Sequence, residues 1–176
     1  MAGARDQWPF AGLEKRKDEK MADNDPENTL ILETTQGAVT IELRPDLAPN
    51  HCARIKELAR EKFYDGIVFH RVIDEFMAQT GCPDGRGTGG SGQNLSAEFN
   101  DEPHVRGTTS MARSASPDSA DSQFFICFGD TPFLNGEYTV WGKVVDGMDN
   151  VDKIKRGEPV ADPDKIISMR VAADSE

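Results

Sequence analysis

Cysteine is scarce in this chain. Cys52, Cys82 and Cys127 are the only three among 176 residues, odd in number and widely separated. Such a set argues against a disulfide framework. Cys127 lies in an apolar run and Cys52 in a helical pattern, so buried free thiols are expected, which suits a reducing compartment. Histidine is equally sparse. His51, His70 and His104 are far apart, and Cys52 directly after His51 cannot share a helix face with it. Ligand spacing for a metal is therefore missing, and no metal or other cofactor is expected. No apolar run reaches the length of a membrane span. Glu14 to Lys20 is almost entirely charged, where a secretory signal would carry its apolar segment. Cations are in the minority too: 20 Lys and Arg against 31 Asp and Glu leave a net charge of −11. Nucleic acid and anionic membranes repel such a surface, so neither is expected as a partner, and the cytoplasm is the expected location.

What the chain does have is core material. Apolar residues make up 37% and include nine Phe, enough for one domain at this length. Residues 1–28 read as a flexible extension, because Lys15 to Lys20 is mixed charge and Ala22 to Asn28 is polar, without a sustained apolar period. Met21 is an alternative start, and Trp8-Pro9-Phe10 has the composition of a docking motif but reads more simply as disorder. The folded domain is assigned to residues 29–174. Leu30, Leu32 and Thr34 alternate with their neighbours, as do Val39, Ile41 and Leu43, and Gln36-Gly37 lies between: a β-hairpin. Pro49 opens a helix in which Cys52, Ile55, Leu58 and Ala59 share a face, and Phe63 to Gly66 ends it with a turn. Short apolar runs follow at 67–69, 76–78, 108–112, 124–128 and 139–145. A second helix is expected over 148–154 and a last strand over 166–172. Many short strands with two helices and no strand–helix alternation predict a closed antiparallel barrel rather than a parallel sheet.

Gly85-Arg86-Gly87-Thr88-Gly89-Gly90 matches G-x-G-x-x-G, the dinucleotide fingerprint. The fingerprint needs a strand before it and a helix after it; Cys82-Pro83-Asp84 and Gly92-Gln93-Asn94 supply neither. Ser91 directly follows Gly90, so the lysine of a P-loop is absent, and a tight surface loop is expected instead. Ser110 and Ser122 lack the context of a nucleophile elbow.

Arg71 is different in kind. It follows the apolar run Ile67 to Phe69, whose expected fate is burial, and buried arginine is rare unless paired or functional. In an extended strand Met77 and Gln79 share a face, with Phe76 on the other unless a bulge intervenes, and Gln123 and Phe125 share a face in the same way. One cation, two amides and large apolar side chains can grip an apolar ring and stabilise a twisted amide. They are poorly equipped to break a bond. Rotation about a peptide bond is the chemistry this set suggests.

In order, Phe63-Tyr64-Asp65-Gly66, Phe69 to Ile73, Phe76 to Gln79, Gly87 to Gly90, Ser110 to Ala112, Ser122 to Ile126 and Val140 to Val144 resemble the motifs of the cyclophilin family of peptidyl-prolyl cis–trans isomerases, bacterial cytoplasmic members most closely. The resemblance runs from about Thr29 to Val171. It implies a closed eight-stranded antiparallel barrel capped by two α-helices, a cofactor-independent isomerase acting on X–Pro bonds and assisting protein folding. Its partners would be proline-containing peptides and unfolded or partly folded proteins, and a monomer is expected. By that resemblance Arg71 is the catalytic guanidinium, with Gln79 orienting it and Phe76 beside it. Met77, Phe125 and Leu134 complete the proline pocket. Gln123 and the backbone of Ala112 and Arg113 hold the peptide, and Gly89 belongs to the loop of the neighbouring subsite. Three departures stand out. Arg113 occupies a common Asn position, and Tyr138 a common His position, as in bacterial members. Phe133 replaces the Trp of animal members, which implies weaker cyclosporin binding because the indole N–H donor is lost. A catalytically silent barrel that only binds proline-containing peptides is the competing reading.

Overall fold

The computed structural model of the chain describes residues 25–175. Most of the expected extension, Trp8-Pro9-Phe10 and the alternative start at Met21 lie outside the described residues. Residues 25–28 are described. Pro26–Asn28 form a 3₁₀ turn capped by the Asp25 carboxylate, and Glu27 pairs with Lys56 at 3.0 Å and Arg60 at 3.0 Å.

Strands β1 (Thr29–Thr34) and β2 (Gly37–Leu43) form the expected hairpin, with Leu30, Leu32, Thr34, Val39, Ile41 and Leu43 all buried on one face. The pairing runs one residue further than the patterning indicates. Thr34 faces Gly37, so Thr35-Gln36 makes the turn, and Gly37 takes a φ of +127°, which favours glycine. Helix α1 (Pro49–Arg60) buries His51 as well as the predicted Cys52, Ile55, Leu58 and Ala59, and packs along β8 (Ile166–Val171). Between them run β3 (Arg71–Ile73), β4 (Met77–Thr80), β5 (Thr108–Met111), β6 (Phe124–Cys127) and β7 (Val140–Asp146). Helix α2 is confined to Met148–Val151, shorter than the expected 148–154. It tightens beyond that point: Lys153 and Ile154 donate to carbonyls three residues back, and the Arg156 guanidinium takes the carbonyls of Asp152 and Ile154 at 2.8 and 2.7 Å.

The eight strands form one curled antiparallel sheet in the order β8-β1-β2-β7-β5-β6-β4-β3. The expected closure is met only in part, since β3 and β8 do not pair with each other as strands. A short seam of backbone bonds lies between the two ends: Gly66 N–H to Ile166 O at 2.7 Å, Ile166 N–H to Ile67 O at 2.8 Å and Phe69 N–H to Asp164 O at 2.8 Å.

Alternation divides the apolar side chains between the two faces of the sheet. Phe124 and Ile126 point into the main core with Trp141 and Tyr64; the Phe124 ring meets Tyr64 and Trp141 edge-on at 5.6 and 5.4 Å. Phe125 and Cys127 point the other way and, with Met77 and Leu134, form a second, smaller apolar cluster. Phe76, Ala112 and Tyr138 pack against that cluster. All three cysteines are buried and free, and burial pushes the thiols of Cys52 and Cys127 up to about 12 and about 11, leaving them unreactive.

Candidate active site

Register sets the site. Arg71 faces Gln79 across β3 and β4, and Gln79 faces Phe125 across β4 and β6, so three side chains stand in one row on the outer face of the sheet. The Arg71 Nη1 donates to Gln79 Oε1 at 3.3 Å, and Gln79 Nε2 donates to Gln123 Oε1 at 3.0 Å. Gln123 Nε2 in turn donates to the carbonyls of Gly87 and Gly89 at 2.9 and 3.0 Å. A relay of two amides thus ties the guanidinium to the glycine loop. On its other edge Arg71 Nε donates to Glu158 Oε2 at 2.8 Å, a partner that no sequence pattern indicated.

Arg71 lines a cavity of about 270 Å³ that has an apolar side, built from Phe76, Met77, Phe125, Leu134 and Tyr138, and a polar side to which His70, Gln79, Arg86 and Arg113 contribute. Phe76 reaches that wall although alternation from Met77 would send it to the opposite face. It precedes β4, in a tight turn where Glu75 has a φ of +66°, so strand parity does not govern it. Tyr138 meets the Phe125 ring edge-on at 5.8 Å. Leu134 is carried by a 3₁₀ turn, Pro132–Leu134. Phe133, from the same turn, is 69% exposed; its ring lies 5.6 Å from that of Phe76, outside the cavity.

A larger cavity of about 520 Å³ adjoins the first, sharing Gln79, Gly87, Ala112 and Arg113 and adding Gly89, Gln123 and Asp121. Arg113 lines both. Its guanidinium lies 4.8 Å over the Tyr138 ring and donates to the Glu137 carbonyl at 3.1 and 2.7 Å. The Ala112 N–H is committed to Gln123 O at 2.9 Å, so a peptide contact at Ala112 cannot use that donor.

The glycine loop is closed on itself. The amides of Gly87 and Gly89 donate to Cys82 Sγ, that of Arg86 to Asp84, and those of Ser91 and Gly92 to Asp121. Donors that would have to cradle a phosphate already serve a thiol and two carboxylates. No helix follows the loop. Ser110 does meet a histidine: its Oγ lies 2.9 Å from His104 Nε2, and Asn135 Oδ1 lies 3.1 Å from Nδ1. The trio has the composition of a hydrolytic triad, yet Ser110 and His104 are 0% and 1% exposed and Ser110 donates to the Thr139 carbonyl. No substrate reaches it. The His104 ring instead stacks beneath Phe125 at 6.1 Å and supports the apolar side of the smaller cavity. His51 is paired with Glu98 at 2.6 Å and takes no part in that trio.

A guanidinium beside a ring-sized cavity with one apolar side, steadied by amides, is suited to stabilising a distorted bond geometry. The comparisons agree. The family model for cyclophilin type peptidyl-prolyl cis-trans isomerase matches residues 29–171. The chain belongs to the cyclophilin family of peptidyl-prolyl cis–trans isomerases. A probable peptidyl-prolyl cis-trans isomerase of Brucella suis is 57% identical over 169 residues, with 86% of each chain covered. Among solved structures, the cyclophilin AquaCyp293 from Hirschia baltica superposes with a TM-score of 0.80 at 30% identity, covering 92% of this chain and 82% of that one. A cyclophilin type isomerase of Cryptosporidium parvum, crystallised in the presence of the dipeptide Ala-Pro, gives 0.76 at 28% identity, covering 81% and 98%. As a cyclophilin the chain is an isomerase of X–Pro bonds, and its mainly β fold, curled sheet and two helices are those of its relatives.

Proposed function

We propose that the proline ring of a peptide enters the 270 Å³ cavity and that Arg71 catalyses rotation of the preceding bond. Rotation is slow because twisting removes amide resonance, against a barrier of about 18–20 kcal/mol. At the perpendicular geometry the prolyl nitrogen regains its lone pair and accepts a hydrogen bond that the planar amide cannot. A guanidinium donating there binds the transition state and not the ground state, so it accelerates rotation. Phe76, Met77, Phe125 and Leu134 hold the ring and exclude water while the amide loses its charge separation. Gln79 orients Arg71, and Gln123, with Ala112, Arg113 and Gly89, holds the flanking chain. Tyr138 closes the wall, and Phe133 extends it outside the cavity.

The observation that carries this reading is the position of Arg71: its Nε and Nη1 donate to Glu158 and Gln79 beside the apolar side of that cavity. The test is an isomerisation assay on short X–Pro peptides. Wild type should accelerate exchange, and Arg71→Ala should lose about 10²–10³-fold in kcat/KM, the scale of one preorganised donor. A wild-type protein that binds the peptides while leaving their isomers exchanging at the spontaneous rate would establish the binding-only reading instead.

We also infer that the catalytic domain spans 29–174 and that the seam joining residues 66–69 to 164–166 makes the sheet act as a closed barrel, supported by its three backbone bonds. Proline-containing peptides are the substrates, presented by unfolded or partly folded proteins, so that the activity assists folding. The domain acts as a monomer in the cytoplasm, a location supported by its three free, buried thiols. Cyclosporin binds with reduced affinity.

A further inference from the structure

We propose that Glu158 is a positioning residue for isomerisation, one that fixes the plane of the Arg71 guanidinium; the inference rests on the role just assigned to Arg71. The segment carrying Glu158 is far from Arg71 in sequence but is riveted to the same strand. Val72 and Gly157 exchange both backbone bonds, Val72 N–H to Gly157 O at 2.8 Å and Gly157 N–H to Val72 O at 2.7 Å. That antiparallel bridge sets Arg71 opposite Glu158 and Ile73 opposite Arg156. Gly157 has a φ of +153°, and a Cβ there would come within 2.8 Å of Pro159 O and Val160 Cα, so a side chain at this position would displace the segment. Arg156 anchors the other flank, with its guanidinium 4.2 Å over the Phe128 ring and 3.1 Å from Asp74.

Two restraints on different edges determine a planar group where one does not. Gln79 alone, at 3.3 Å from Nη1, leaves the guanidinium free to swing about that contact. Glu158 at 2.8 Å from Nε closes the second edge. The Nη2 nitrogen has neither of these two partners, so its N–H groups are the ones left to turn toward a twisted amide. A carboxylate at Nε is also a charge-assisted acceptor, stronger and shorter than the amide contact. The pair is exposed, Arg71 at 38% and Glu158 at 58% of their side-chain surface, so its contribution is modest and sensitive to salt.

Glu158→Gln should lower kcat roughly two- to fivefold, the range that exposed ion pairs carry, with KM within about twofold of wild type. Glu158→Asp, which keeps the charge, should recover part of the loss. The discriminating readout is ionic strength, measured on an uncharged X–Pro peptide at saturation. Between 0.05 and 1 M NaCl the Debye length shrinks from more than 10 Å to about 3 Å, so wild-type kcat should fall toward that of Glu158→Gln while the variant stays flat. A merely structural role would give both proteins the same salt response. Wild-type kcat in both variants, a loss confined to KM, or parallel salt curves would each overturn the inference. Activity of the wild type together with its loss in Arg71→Ala shows that the underlying reading still stands in those cases; an inactive wild type would remove both.

Discussion

Gln79→Ala tests the amide relay most directly. The substitution removes two hydrogen bonds, from Arg71 at 3.3 Å and to Gln123 at 3.0 Å, without touching the apolar wall. A net hydrogen bond contributes about 0.5–1.5 kcal/mol, and the long Arg71 contact belongs at the low end of that range. Glu158 still holds the other edge of the guanidinium, so orientation is loosened and not lost. Both effects together cost about 1–1.5 kcal/mol at the transition state, or roughly tenfold in kcat/KM, well short of the Arg71→Ala loss. Exchange NMR on an X–Pro peptide reads the rate, and urea unfolding of the same sample reads stability, expected to change by about 1 kcal/mol or less at this half-buried site. Gln79→Glu keeps an acceptor for Arg71 but offers no donor to Gln123, and it should fall between wild type and Gln79→Ala. Activity within twofold of wild type in a folded Gln79→Ala protein would refute the relay. A loss as large as that of Arg71→Ala would also refute it, by making Gln79 part of the chemistry.

Two further outcomes follow from the same structure. Phe133→Trp places an N–H donor on an exposed ring beside the cavity, so cyclosporin affinity by calorimetry should rise several-fold, one net hydrogen bond, with peptide turnover unchanged; equal affinities would show that this position does not meet the ligand. Burial holds the imidazoles of His51, His70 and His104 below the ordinary value of 6.5; Arg71 adds to this at His70, while Glu98 and Asn135 oppose it at His51 and His104. The unfolded chain therefore takes up protons that the folded one refuses, and the histidine contribution to stability is full above pH 6.5 and declines as pH falls below it. Imidazole NMR titrations with midpoints at or above 6.5 would contradict this.

The residues of the proposed site could be grouped early because strand parity is a local property. Met77 with Gln79, and Gln123 with Phe125, share faces whatever the fold, and the structure needs only register to place Arg71, Gln79 and Phe125 in a row. The first hairpin and α1 were legible for the same reason: periods of two and 3.6 are written in neighbouring residues. Phe76 escaped the parity argument because it sits in a turn, where alternation has no meaning. Helix α2 stops early because Lys153 and Ile154 turn back to carbonyls three residues away, and Arg156 takes the carbonyls of Asp152 and Ile154 that a longer helix would have to share. The stacking of His104 on Phe125 and its bond to Ser110 had no signal, since a histidine and a serine six residues apart are unremarkable in any sequence.

The one-dimensional pattern was sufficient for the alternating strands and for picking out a cation, amides and apolar side chains as candidates for a site. Folding alone decided that β3 bridges to Gly157 and so meets Glu158, that the glycine loop closes over Cys82 and Asp121, and that the ends of the sheet meet through three backbone bonds. The division has a physical cause. Which face a side chain takes depends on its immediate neighbours, whereas which distant partner it meets depends on strand order and register, and those are settled by the packing of the whole sheet.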